Sequence, residues 1–260
     1  MINKKQIQFI NSLVHKKYRK QHACFVAEGS KLVEELLSSR LATESVFALP
    51  GWMQNHHQLL SEKNISVIET SEKELGRISS LKTANQALAV IKIPSPVFDP
   101  LLASQQIILM LDKISDPGNL GTIIRTADWF GIHHVICSPD TVDLYNPKTV
   151  QATMGSIARV NVYYLDLKKT LGSIDKNVPV YGSLLQGKPL KENRFSNKGI
   201  IIIGNEAHGI SPDLWPYISD PVFIPPSISG GSGSLRPESL NASVAAAILC
   251  YELRRNAVGV

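Results

Sequence analysis

The chain of 260 residues is predicted to be an α/β protein, in which a small α/β domain precedes a larger, mostly parallel sheet covered by helices. In the second part, near-continuous apolar runs alternate with helical segments, as expected for strands buried on both faces. The segment Ile93–Pro100 holds three prolines in eight residues, a composition typical of a linker. We therefore predict domains at residues 1–97 and 98–260.

Helical spacing and short apolar runs predict the elements of the first domain. Apolar residues recur at helical intervals within Lys4–Val14, which predicts an opening helix. Ser71 followed by Glu74 is a capping-box pattern, which predicts a helix that starts there. The other predicted elements are a strand running into a helix across residues 24–39 and strands at Val46–Leu49, Ile65–Glu69 and Leu88–Ile93.

The second domain alternates between strands and helices, which predicts a parallel sheet with helical crossovers. The predicted strands are Ile107–Leu111, His133–Cys137, Arg159–Tyr164, Val178–Leu185, Gly199–Gly204 and Val222–Pro225. The predicted helices are Leu120–Phe130, Lys148–Met154, Leu167–Ile174 and Ser239–Arg255.

Composition excludes several classes of protein. Apolar residues make up 43% of the chain and charged residues 19%, as in soluble globular proteins. The three cysteines, Cys24, Cys137 and Cys250, are odd in number and far apart, which argues against a disulfide framework and for a reducing cytoplasm. No metal-ligand cluster is apparent, so we predict no metal site. The longest apolar run, Val244–Tyr251, is too short to span a membrane.

The positive charge is concentrated in the first domain. Residues 1–97 carry 13 Lys and Arg against 8 Asp and Glu (13 − 8 = +5), whereas residues 98–260 carry 14 of each. A basic cluster of Lys16, Lys17, Arg19 and Lys20 is predicted to attract the phosphates of a nucleic acid. The alternative, a solvated helix face without a ligand, stays open.

Three segments combine an apolar element with a short polar group: Asn119–Gly131, Ile200–Ser211 and Glu238–Glu252. The second is a buried strand ending at Gly204, and ligands of open α/β sheets bind at the carboxyl ends of strands. Glu206 would then lie at the mouth of a pocket, although for this segment in isolation an ordinary strand-to-helix turn with a solvated glutamate is the favoured explanation.

The other two segments place polar side chains near helix starts. Asn119 resembles a helix cap, with Arg125 about two turns further along. Ser239 and Asn241 precede the last helix, where backbone N–H groups are free, and simple capping by Ser239 is the alternative. Arg125 also has an ordinary alternative, an ion pair with Asp128 one turn away.

Taken together in this order, the three segments resemble the motifs of the SpoU/TrmH family, RNA ribose 2′-O-methyltransferases of the SPOUT class. The resemblance implies a SPOUT-type sheet with a C-terminal trefoil knot, S-adenosylmethionine as the cofactor, and a homodimer. The first domain resembles the ribosomal-protein-like RNA-binding domain of some of these enzymes. The family assigns the cofactor to positions matching Gly204, Ile224 and Leu240, together with the adjoining Asn205.

The same resemblance implies the catalytic residues. Arg125 would lie nearest the attacking ribose hydroxyl, and we hypothesise that Glu206 orients it. Asn119, Ser239 and Asn241 would fix the arginine and the ribose. Two departures stand out: Ala207 replaces the usual glycine, and a Gly/Ser-rich insertion at residues 227–237 lengthens a loop. This insertion reads as a surface loop, or as a lid that Arg236 helps to close.

The sequence therefore predicts methyl transfer from S-adenosylmethionine to a ribose 2′-hydroxyl, most simply in ribosomal RNA. DNA is excluded as a target because it lacks this hydroxyl. The alternatives are a transfer RNA ribose methyltransferase and a non-catalytic RNA-binding protein of the same fold. A nucleotide-dependent Rossmann enzyme is disfavoured because no Gly-x-Gly-x-x-Gly follows the first strand of either domain.

Overall fold

A computed structural model describes residues 2–258 except 82, 84, 193–194 and 227–238. The predicted insertion and Arg236 thus lie outside the described residues. By contacts between Cα atoms the chain forms two compact units. The first comprises Met1–Ser95 and Asp143–Arg159, and the second Pro96–Val142 and Val160–Val260. The division after Ser95 falls in the proline-rich segment, but Asp143–Arg159, which we had assigned to the second domain, groups with the first unit.

The first unit is built on a four-stranded mixed sheet in the order β1-β4-β2-β3. Strand β4 is antiparallel to both of its neighbours, and β3 is parallel to β2. The strands are β1 (Cys24–Glu28), β2 (Thr43–Ala48), β3 (Val67–Glu69) and β4 (Ala87–Lys92). The helices are α1 (Lys4–Ser12), α2 (Lys16–His22), α3 (Ser30–Ser38), α4 (Pro50–Asn55), α5 (His57–Glu62), α6 (Glu72–Ile78) and α8 (Pro147–Thr153).

Two features of the first unit show how the sequence specifies it. The predicted capping box is present: Ser71 Oγ accepts from Glu74 N, and the Glu74 side chain accepts from Ser71 N. One face of the sheet packs with α1 and α6 around fully buried residues, among them Ile10, Phe47 and Leu88. The short helices α2, α4 and α5 were not predicted, because they lack a helical apolar repeat.

Specific contacts explain why Asp143–Arg159 belongs to the first unit. The Gln151 amide donates to the carbonyl of Glu28 over 2.6 Å, and Tyr145 packs its ring against Phe25. Arg19 donates to the Asp143 carboxylate, which fixes the start of the segment. These contacts join residues more than a hundred positions apart.

The second unit contains a six-stranded sheet in the order β10-β8-β9-β5-β6-β7, and all of its strand pairs are parallel. The strands are β5 (Ile107–Leu111), β6 (His134–Cys137), β7 (Asn161–Tyr164), β8 (Val180–Pro189), β9 (Gly199–Ile203) and β10 (Asp220–Phe223). The helices are α7 (Pro117–Trp129), α9 (Leu167–Gly172) and α10 (Ala242–Val258). Short 3-10 turns lie at Pro100–Ser104, Leu190–Glu192 and Pro212–Tyr217 in this unit, and another lies at Ser156–Ala158 in the first unit.

The central strands β5 and β9 are buried along their whole length. Their apolar residues on one side pack with β8, α9 and the turn at Pro212–Tyr217. Because the strands are parallel, their carboxyl ends lie at one edge of the sheet, and the loops that follow them start there. The predicted α/β class and parallel sheet are confirmed, whereas the trefoil knot stays a prediction.

The structure also bears on cysteine chemistry and on membranes. All three cysteines are free and buried, which confirms that they form no disulfide framework. Burial raises the pKa of the Cys250 thiol to about 12 and also raises the pKa of the Cys137 thiol. Among the described helices, none has both the length and the apolar character that a membrane crossing requires.

Candidate active site

The loop after β9 folds back tightly on itself at the carboxyl edge of the sheet. Asn205 N donates to the carbonyl of Gly209 over 3.1 Å, and Gly209 N donates back to Asn205 over 2.8 Å. A Cβ added to Gly204 would lie 2.2 Å from the carbonyl carbon of Gly209. Glycine is therefore required at position 204 because two backbone segments approach closely, not because of its φ.

The departure at Ala207 does not strain this loop. Gly209 has a φ of +66°, whereas Ala207 is not among the residues with positive φ. The backbone N–H of Ala207 donates to the Asn205 side chain over 2.9 Å. The left-handed position of the turn is thus filled by Gly209, and an alanine fits at position 207.

Asn205 joins the loop to the turn after β5. Its Nδ2 donates to the carbonyl of Lys113 over 2.9 Å, while its Oδ1 accepts from the backbone of Ala207 and His208. Lys113 has a φ of +57°, which is uncommon for a residue with a side chain. Asn205 therefore fixes the loop from within rather than offering free polar atoms to a ligand.

Asn119 lies at the centre of a hydrogen-bond network that links all three polar segments. Its Nδ2 donates to Glu206 Oε1 over 2.5 Å, and its Oδ1 accepts from Asn241 Nδ2 over 3.0 Å. The Ser239 hydroxyl donates to the backbone carbonyl of Glu206 over 3.0 Å. Four of the five predicted catalytic residues are thus brought together.

The helix caps differ from those predicted. Asp116, not Asn119, caps α7, because its Oδ1 accepts from Asn119 N over 2.8 Å. At α10, Asn241 Oδ1 accepts from Ser243 N over 2.9 Å, so the helix begins after Asn241 and Ser239 lies before it. The Asn119 side chain is thereby free to bond with Glu206.

Arg125, the fifth predicted catalytic residue, is exposed on α7. The hypothesis that Glu206 orients it is not supported by the described part of the structure, in which the Glu206 carboxylate accepts from Asn119 and forms no ion pair with the guanidinium. Arg125 therefore lies on the helix that carries Asn119 but outside the Asn119 network.

Comparison with known proteins identifies this arrangement. Residues 106–251 match the SpoU rRNA Methylase family, and residues 4–89 match the MRM3-like substrate binding domain. The chain belongs to the SpoU rRNA Methylase family.

Similar proteins share nearly the whole chain. The 23S rRNA (guanosine(2553)-2′-O)-methyltransferase RlmP of Bacillus subtilis is 33% identical, and the match covers 92% of each chain. The 23S rRNA (guanosine-2′-O-)-methyltransferase RlmB of Acinetobacter baylyi is 32% identical, with 89% of this chain and 97% of that protein covered.

Solved structures agree with this assignment. A TrmH-family protein from Porphyromonas gingivalis is 37% identical, with a TM-score of 0.82 and coverage of 98% of this chain and 99% of that one. An AdoMet-bound rRNA methyltransferase from Sinorhizobium meliloti is 26% identical, with a TM-score of 0.82 and coverage of 98% and 96%.

The residues expected to hold S-adenosylmethionine in a SpoU family member lie at the same sheet edge. Ile224 directly follows β10, whose carboxyl end is on the side where Gly204 follows β9. Leu240 is 46% exposed, and its neighbour Ser239 bonds to the loop at Glu206. Apolar side chains beside a loop that begins at a glycine without a Cβ suit an adenosine group, so the residues present fit this cofactor.

The predicted RNA-binding cluster is divided by the structure. Lys16, Lys17 and Lys20 are exposed on α2. Arg19 is only 3% exposed, and it donates to the carbonyls of Leu13 and Val14 as well as to Asp143. Its guanidinium is thus bound within the first unit, and the assignment of Arg19 as an RNA-contacting residue is corrected to a structural one.

Two further residues, Asp112 and Lys113, help to form the site and are not predicted from the sequence. Asp112 is 2% exposed and accepts from Ser211 N over 2.7 Å, which fixes the chain beyond the loop. Lys113 accepts from Asn205, as described above. They are the first two residues after a buried strand, and that position was the signal that could have identified them. No cluster of potential metal ligands is found among the described residues.

Proposed function

We propose that this SpoU family member transfers the methyl group of S-adenosylmethionine to a ribose 2′-hydroxyl of ribosomal RNA. The observation that carries the proposal is the Asn241–Asn119–Glu206 network, which assembles three distant polar segments at the carboxyl edge of the sheet. The names of the two 23S rRNA methyltransferases that resemble the chain over nearly its full length support the substrate.

The protein residues must position and assist the ribose hydroxyl, because the methyl donor is already reactive. S-adenosylmethionine supplies an electrophilic methyl group on a sulfonium. The protein must then hold the ribose hydroxyl in line and assist its oxygen as the proton leaves. A guanidinium stays protonated, so Arg125 acts by hydrogen bonding and charge, not as a base. Glu206 and Asn241 keep the Asn119 amide in one orientation beside the ribose.

The chain also presents a surface that suits a second copy of itself. The buried face of α10 comprises residues such as Ala246, Leu249 and Leu253, whereas Val244 and Tyr251 face outward. Large exposed apolar residues on α7, on α10 and just before α10 include Trp129 (85%), Leu240 (46%), Val244 (46%) and Tyr251 (54%). A homodimer that covers these residues is part of the proposal.

The first unit would supply RNA contacts through Lys16, Lys17 and Lys20, and the second unit would perform the transfer. Ribosomal RNA is the substrate we propose, and transfer RNA is the alternative outcome. We place the protein in the cytoplasm, where its reduced cysteines and such a substrate would occur together.

The decisive experiment compares wild type with Arg125→Ala. We expect methyl transfer to fall by about 10² to 10³-fold, while calorimetric binding of S-adenosylmethionine stays within about twofold. Lys168→Ala removes an exposed cation from α9 and is the matched control with full activity. Near-normal turnover in Arg125→Ala would refute the proposed role of this residue.

The substrate is tested in cells. Ribose 2′-O-methylation is mapped in ribosomal and transfer RNA from cells with and without the protein. Loss of 2′-O-methylation at a single position of ribosomal RNA supports the proposal. Loss at a position of transfer RNA would make transfer RNA the substrate instead. An unchanged pattern, together with no binding of the donor, would instead indicate a non-catalytic RNA-binding protein.

A further inference from the structure

We infer that Tyr18 and His22 form a stacking site for an unpaired nucleobase of the RNA, a site in the first unit that is separate from the methyl-transfer residues. The inference rests on the proposed function for the identity of the polyanion. It adds the class of nucleotide that the first unit selects, since only an unpaired base exposes its faces.

The surface at residues 14–23 combines positive charge with rings. All of these residues are exposed except Arg19, and they include three lysines and the rings of His15, Tyr18 and His22. The first acidic residue of the chain is Glu28, which is 5% exposed and accepts from Ser79 and Ser80. Residues 1–27 therefore contain no carboxylate side chain that would repel an RNA phosphate.

The rings are arranged for stacking. Tyr18 and His22 lie one helical turn apart, with planes within 18° of each other and centroids separated by 6.5 Å. His22 meets the partly buried Phe9 edge-on at 5.1 Å, which supports it from the side of the core. Tyr18 is 37% exposed, and Lys17 Nζ lies 5.8 Å from its ring. Flat rings beside lysines are the combination that binds single-stranded RNA.

Arg19 holds this surface in place. Its buried guanidinium donates to the carbonyls of Leu13 (2.8 Å) and Val14 (2.6 Å), at the end of α1, and to Asp143. Helix α2 then ends at His22 and is capped by Ala23, which has a φ of 49°. The short helix is thus anchored by its one buried side chain, and its exposed rings are ordered before RNA binds, which reduces the entropic cost of binding.

A depression adjoins the rings and extends the candidate site. It has a volume of about 410 Å³ and is lined by residues that include Phe9, His22, Glu44 and Lys92. Glu44 is paired with Lys92 over 3.0 Å, so its charge is balanced. The volume is sufficient for a base, and the ion pair offers both a donor and an acceptor to its edge.

The test measures binding of a short fluorescein-labelled single-stranded RNA to the full-length chain, compared with the same strand annealed to its complement. Tyr18→Ala should weaken single-strand binding by between about fivefold and 150-fold, and leave duplex binding within about twofold. Tyr18→Phe keeps the ring and should bind like wild type. His22→Ala should weaken the same interaction to a smaller extent.

Lys20→Ala is the electrostatic control, because it should weaken single-strand and duplex binding alike and reduce the salt dependence of both. Wild-type affinity of Tyr18→Ala for the single strand, or equal losses for strand and duplex, would overturn the stacking site. Circular dichroism of each variant checks that α2 has folded.

Failure of the stacking site is distinguishable from failure of the proposed function. If wild type binds S-adenosylmethionine and methylates ribosomal RNA while Tyr18→Ala binds the single strand normally, only the stacking site is refuted. If wild type binds the single strand but does not methylate RNA, and Tyr18→Ala weakens that binding, the stacking site stands and the enzymatic proposal is refuted.

Discussion

Asn241 donates its side-chain N–H to the side-chain oxygen of Asn119 over 3.0 Å, a contact between residues 122 positions apart. The Asn119 amide is then directed at Glu206. An asparagine with one donor and one acceptor committed in this way has a fixed orientation. The start of α10, the first turn of α7 and the loop after β9 therefore depend on one another for their positions.

The hydrogen bond from Asn119 to Glu206 predicts what happens when its donor is replaced by an acceptor. Asn119→Asp removes the donor to Glu206 and brings two carboxylates together. We expect the free energy of unfolding to fall by about 1–3 kcal/mol and methyl transfer to fall by roughly a hundredfold. Urea unfolding and a radiolabelled transfer assay measure the two effects.

The double variant Asn119→Asp/Glu206→Gln supplies the matched control. The amide at position 206 can donate to the carboxylate at position 119, so much of the lost stability should return as a favourable coupling energy. If the loss of unfolding free energy in the double variant equalled the sum of the losses in the single variants, the contact between these side chains would not contribute to stability.

Gly204→Ala tests the closure of the loop. A Cβ would lie 2.2 Å from the backbone of Gly209, and neither segment can yield without breaking the paired hydrogen bonds of Asn205 and Gly209. We expect a loss of about 1–3 kcal/mol in unfolding free energy and a large loss of S-adenosylmethionine binding by calorimetry.

Ala207→Gly provides the comparison for that variant. Because Ala207 does not adopt a positive φ, glycine relieves no strain and costs only about 0.5–1 kcal/mol through chain entropy. Donor binding should stay near that of wild type. Tighter binding by Ala207→Gly would show that alanine distorts the loop after all.

These contacts show which parts of the site could be predicted from sequence. The apolar run of β9 and the glycine that ends it placed the loop at the carboxyl edge, because strand burial is encoded locally. The partner of Glu206 could not be predicted, since Asn119 and Arg125 lie on the same helix. The caps were wrong for a related reason: each helix start offers two side chains able to cap, and tertiary contacts decide between them.

The fold shows the same contrast between local and distant information. Strand β5 has the bounds that its apolar run predicted, and the capping box of Ser71 and Glu74 formed as expected. Helix α2 was missed because it has no apolar repeat and is held by Arg19. The grouping of Asp143–Arg159 with the first unit likewise depends on long-range polar contacts that no local pattern records.

The buried Arg19–Asp143 pair predicts a large effect on stability. The two side chains are 4% and 16% exposed, and the guanidinium has two further carbonyl acceptors. Arg19→Ala leaves the Asp143 carboxylate without its cationic partner, so we expect a loss of about 3–5 kcal/mol in unfolding free energy, measured by urea unfolding. Lys20→Ala, on the same helix but exposed, should change stability by no more than about 0.5 kcal/mol. Unchanged stability of Arg19→Ala with weakened RNA binding would restore the phosphate-binding role first predicted.

Glu74 should make the stability of the first unit depend on pH. The N–H of Ser71 and that of Ile2 each donate to its carboxylate over 3.0 Å, as does the Ser71 hydroxyl, and these bonds hold the pKa of Glu74 below its ordinary value of 4.5. A carboxyl whose pKa is lower in the folded state binds protons more readily when unfolded. The stabilisation by Glu74 is therefore present above pH 4.5 and is lost as the pH falls through the pKa of the folded state.

Unfolding free energies of wild type and Glu74→Gln, measured from pH 7 downwards, should converge in that acidic range. Glu72→Gln removes a charge from the same helical turn without touching the cap, and its difference from wild type should not show this convergence. A Glu74→Gln difference that stayed constant with pH would mean that the ionised carboxylate is not what holds the Ile2 backbone against α6.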